Sequence, residues 1–100
     1  MNKIAALEIE IRFTRLANED LREAYGYISQ DDPGSARRII ARIEKAVETL
    51  CRHTSPGRPG RVEGTREFIV PGTPFILVYR YRKRTLQILT VLHTSKKYPL

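Results

Sequence analysis

Leu7, Ile9, Ile11 and Phe13 alternate with Glu8, Glu10 and Arg12. A period of two predicts a half-buried strand, and the charges on its other face suit an edge near solvent. The rhythm then lengthens. Ala17, Leu21, Ala24 and Ile28 are spaced as one stripe on a helix running from Arg15 to Gln30, with Thr14 as N-cap. Glu19, Asp20, Arg22 and Glu23 face away from that stripe, and acidic residues early in the helix suit its dipole. Asp31-Asp32-Pro33-Gly34 ends this helix and starts another, with Asp32 as cap and Pro33 at the first helical position. Ala36, Ile40, Ile43, Val47 and Leu50 form the second stripe, so the two helices read as an α-hairpin.

The second half follows a different pattern. A turn-rich basic segment, Gly57-Arg58-Pro59-Gly60-Arg61-Val62-Glu63-Gly64-Thr65, precedes three apolar runs, Glu67–Val70, Phe75–Tyr81 and Leu86–His93. Pro71-Gly72-Thr73-Pro74 and Arg82-Lys83-Arg84-Thr85 separate them, which predicts an antiparallel meander. The order β-α-α-β-β-β gives an α+β fold: a four-stranded, antiparallel-rich sheet with the α-hairpin packed on one face.

One hundred residues fit a single domain over 1–100, burying about two thirds of the unfolded surface. No apolar run approaches the length of a membrane span, and the N-terminus lacks the apolar core of a secretory signal. Cys51 is the single cysteine; it reads as a helix-end packing residue, in keeping with a reducing cytoplasm. Charge changes the picture most. Residues 1–50 hold 8 Lys+Arg against 9 Asp+Glu, and residues 51–100 hold 10 against 2. The net +7 therefore belongs to the meander half and implies an anionic partner, either nucleic acid or an acidic protein.

Two histidines and one cysteine give no cluster at metal spacing, so neither a metal site nor a cofactor is expected. Gly57-Arg58-Pro59-Gly60 lacks the Lys-Ser/Thr ending of a phosphate-binding loop and reads as a rigid turn. The candidate surface is made of Arg58, Arg61, Arg66, Arg80, Arg82, Lys96 and Lys97. With His93 and Tyr98, such cations are what metal-free RNA cleavage needs: a base, an acid, and charge on the scissile phosphate. The same groups suit an acidic groove on a protein equally well, and His93 reads first as a structural or partner contact.

Five pieces of this half carry a resemblance: Gly57-Arg58-Pro59-Gly60-Arg61, Gly64-Thr65-Arg66-Glu67, Pro71-Gly72-Thr73-Pro74-Phe75, Val78-Tyr79-Arg80 and Val91-Leu92-His93. In this order they resemble the C-terminal signature of the RelE/ParE superfamily, the toxins of bacterial type II toxin–antitoxin pairs. The resemblance covers nearly the whole chain. It implies the same fold, a growth-inhibiting activity, and a cognate antitoxin that assembles with the toxin into a hetero-oligomer. An antitoxin segment would lie in an exposed groove with Ile76 and Val78 as apolar floor and His93 beside them. RelE-type toxins cut mRNA in the ribosome, using an arginine on the middle meander strand and a basic residue after the last. Here Ile76 stands in the place of that arginine, and Lys97 where the later residue falls. If the RelE chemistry applied, Arg80, His93, Lys97 and Tyr98 would carry it. ParE-type toxins share the fold without the nuclease set and poison DNA gyrase; the Ile76 departure makes this branch the first expectation, with the ribosome and its mRNA as the alternative target.

Overall fold

The computed structural model describes residues 9–53 and 57–94. Its elements are β1 (Glu10–Phe13), α1 (Arg15–Asp31), α2 (Pro33–Arg52), β2 (Arg58–Pro59), β3 (Arg66–Ile69), β4 (Phe75–Arg82) and β5 (Thr85–His93). Both helix starts follow from their capping residues. Thr14 Oγ1 accepts the Ala17 N–H at 3.1 Å. The Asp32 carboxylate accepts the Ser35 hydroxyl at 2.8 Å and the Gly34 N–H at 3.0 Å. These hydrogen bonds, that from Ser35 first, hold the Asp32 pKa below the ordinary carboxylate value.

The sheet order is β1-β5-β4-β3-β2, with β1 parallel to β5 and every other pair antiparallel. Four strands were expected, and five are present among the described residues. The additional one, Arg58–Pro59, pairs with Glu67 and Arg66 at the sheet edge. Proline is tolerated there because an edge strand can leave one side unpaired. β1 forms the opposite edge; the start of its expected alternation, Leu7 and Glu8, lies outside the described residues.

β5 is bulged. Val78 pairs with Thr90 and Tyr79 with Ile88, so Leu89 has no partner across the ladder. The first helix takes up the displaced polar groups. Thr14 donates its hydroxyl to the Leu89 carbonyl at 2.7 Å. Asp20 Oδ2 accepts the Thr90 hydroxyl at 2.5 Å and the Val91 N–H at 2.9 Å. Asp20 was expected to face away from the sheet; it turns inward because β1 stops at Phe13 and leaves the edge of β5 without a backbone acceptor beyond Ile88.

The core lies between the α-hairpin and one sheet face. Ile43, Ala46, Val47 and Leu50 of α2 and Ala17 of α1 meet Phe75, Leu77 and Tyr79 of β4 and Leu86, Ile88 and Val91 of β5. Cys51 packs at its margin, and burial pushes its thiol pKa up, away from the thiolate form. Tyr79 accepts the Gly57 N–H at 3.0 Å through its hydroxyl. A Cβ at Gly57 would overlap that hydroxyl and reach 2.7 Å from the Glu67 carbonyl oxygen, so only glycine fits.

Candidate functional site

Strand alternation sorts the predicted residues onto two faces. Tyr79 and Tyr81 point to the helices: their rings meet edge to face with centroids 5.8 Å apart, and Tyr81 donates its hydroxyl to the Leu50 carbonyl. Arg80 and Arg82 therefore point to the opposite, outer face. Gln87 of β5 pairs with Arg80, and Arg12 of β1 pairs with Gln87. Arg12, Gln87 and Arg80 thus form one row across three strands, and Gln87 Oε1 accepts Arg80 Nε at 2.6 Å, fixing the guanidinium. Glu10, Thr85 and Arg82 form the next row, where Glu10 pairs with Arg12 at 3.5 Å.

The other outer-face cations are organised by one acid. Glu67 pairs in register with Val78 and has a side chain only 1 % exposed. Its carboxylate meets Arg58 at 3.4 Å and Arg61 at 3.3 Å, and accepts the Arg61 backbone N–H at 3.0 Å. Arg58 and Arg61 keep 58 % and 41 % of their side chains exposed, so they serve the loop and still present charge. Arg66 pairs with Tyr79 and lies on the helix face, where Nε and Nη2 bind the Gly57 carbonyl at 3.1 and 2.7 Å. Of the expected cation surface, Arg58, Arg61, Arg80 and Arg82 share the outer face, Arg66 is a loop anchor on the other face, and Lys96 and Lys97 lie outside the described residues.

His93 pairs with Phe75, whose ring it meets at 5.3 Å and 86°, on the helix side of the sheet. From Gln87, the partner of Arg80, it stands six residues along β5, roughly 20 Å at the strand rise. The RelE-type set is therefore not assembled by Arg80 and His93: they occupy opposite faces and distant ends. Tyr98 lies outside the described residues, as does Lys97. Ile76 and Val78 face away from the helices, yet both are buried, at 4 % and 0 % exposure. They do not form an open floor. β4 is the central strand, and its unbroken run Phe75–Tyr79 is buried throughout.

Among the described residues, no group of three His, Cys, Asp or Glu is arranged to hold a metal, and no helix is long and apolar enough to cross a membrane. Three contributors escaped the sequence reading. Arg12 and Gln87 carry no local signal, since they join the site only through strand register. Glu67 had one: it is one of two acids among ten cations in the second half.

With this geometry in view, comparison with known proteins gives consistent results. The family described as "ParE toxin of type II toxin-antitoxin system, parDE" matches residues 11–98. A Sinorhizobium fredii protein named "Putative toxin Y4kP" is 43 % identical over 89 residues, covering 89 % of this chain and 92 % of its own length. Among solved structures, the chromosomal ParDE toxin–antitoxin system of P. aeruginosa superposes with a TM-score of 0.77 at 27 % identity, over 86 % of this chain and 96 % of that one. The RelBE2 toxin–antitoxin complex of Mycobacterium tuberculosis gives 0.60 at 29 % identity, over 85 % and 96 %. The helical hairpin and the mixed sheet match the folds of these toxins, and this chain belongs to the ParE toxin family of type II toxin–antitoxin systems.

Proposed function

We propose that this toxin stops growth by binding rather than by cutting RNA, with DNA gyrase as its target and a cognate antitoxin as its neutralising partner. The carrying observation is the separation of Arg80 from His93 across the sheet. The cation that holds the scissile phosphate and the group that moves its proton must reach it together, and these two residues cannot. The outer face instead offers Arg12, Arg58, Arg61, Arg80 and Arg82 as one positive field. Arg12 and Arg80 stand two strands apart, roughly 10 Å, within about one Debye length at moderate salt. Such a surface recognises an anionic partner over an area and is sensitive to ionic strength. An antitoxin partner is supported by the similar solved structures, which are described as toxin–antitoxin systems or complexes.

The test is purified toxin in a gyrase supercoiling reaction. Supercoiling should fall and cleaved-DNA complexes should accumulate, with an Arg80→Glu/Arg82→Glu variant losing on the order of tenfold or more in potency, as paired charge reversals in a binding face do. Unchanged supercoiling, together with codon-specific cuts in mRNA of a translating extract, would assign the RelE-type nuclease activity instead.

A further inference from the structure

A cleft of about 440 Å³ opens on the helix side of the sheet, between α1, α2 and the far ends of β4 and β5. Its chemistry is the reverse of the outer face. Asp20 and Glu23 lie three residues apart on one side of α1 and contribute two carboxylates. Tyr27, Phe75 and His93 contribute three rings, and Ile28 part of an apolar wall. Among the described residues no lysine or arginine lines it, in a chain of net charge +7. Asp20 is held in place by its bonds to Thr90 and Val91, so half of the negative charge is positioned before any ligand arrives.

We propose that this cleft receives an arginine side chain presented by a partner protein. A planar guanidinium stacks on aromatic faces and offers carboxylates a fork of donors, while its aliphatic stem packs on apolar surface. A lysine ammonium is a compact, strongly hydrated point charge and uses the rings less well. The volume falls in the range of sites that take a side chain or small ligand. The inference stands apart from the toxin's target: it requires neither gyrase nor the ribosome.

NMR titration of the labelled protein with N-acetyl-arginine amide tests it. Shifts should centre on Tyr27, Phe75 and His93. The citrulline analogue, nearly the same shape without charge, should bind about tenfold more weakly, as loss of charge-assisted hydrogen bonds implies. The blocked lysine analogue should fall between them. Free arginine carries an α-carboxylate that meets the same two negative groups, so it should bind more weakly than the blocked form. Glu23→Gln, an exposed position, should weaken the arginine probe several-fold and leave the citrulline probe unchanged. Equal binding of the citrulline analogue, tighter binding of lysine or of free arginine, or no shift in the cleft at tens of millimolar would each overturn the proposal.

Discussion

Tyr81 donates its hydroxyl to the last turn of α2 at the Leu50 carbonyl, and partial burial, with a smaller contribution from Tyr79, pushes its pKa up to about 12. The folded pKa exceeds the unfolded value near 10, so the stabilisation is complete below about pH 10 and is lost as pH rises through 12. Tyr81→Phe should cost about 1 kcal/mol in urea unfolding near pH 9, and the gap to the parent should close as pH approaches about 12. A second residue-scale tension lies in the β4–β5 turn. Lys83 and Arg84 hold φ of 48° and 65°, the left-handed conformation that a tight two-residue hairpin demands and that Asn-Gly adopts most readily. Lys83→Asn with Arg84→Gly should raise the unfolding free energy by about 1 kcal/mol while removing two cations. Thermal melts report the first effect and growth inhibition the second. At this scale, the residues legible in the sequence were those whose partners are local. Thr14 and Asp32 cap within three residues, whereas Asp20 finds Thr90 70 residues away, beyond any local pattern.

β2 and the loop after it exist as an ordered element because Glu67 draws them in. Two residues of ladder cannot sustain a strand alone, and the apolar pattern of 57–65 gives no reason for one. Glu67→Gln removes the charge from both ion pairs and should destabilise the fold by about 2 kcal/mol, below the usual figure for a buried pair because both arginines remain partly solvated. Hydrogen exchange should accelerate first at the Arg61 amide, which loses a charged acceptor. The three meander strands were legible from their apolar runs and the turns between them, and each appears within two residues of its expected bounds. The error at Ile76 and Val78 came from treating β4 as a strand with one covered face. Its five consecutive apolar residues carry no alternation, the mark of a strand covered on both sides.

Across the whole molecule, the division of charge between the halves was visible in composition, but its division between faces was not. A count cannot tell that Arg66 points to the helices and Arg80 away from them, since parity depends on register. That division separates a basic sheet surface from an acidic, aromatic cleft on the other face, near the opposite end of β5. Register has a further effect through the position of β5, the last of the described strands in chain order, which is inserted between β1 and β4. Until β5 is in place, β1 has no neighbour among the described strands, Thr14 and Asp20 lack the groups they bond, and β4 lacks one of its two flanks. The sheet is therefore closed by its last-arriving partner, and β1, α1 and β4 are locked together only by the insertion of β5.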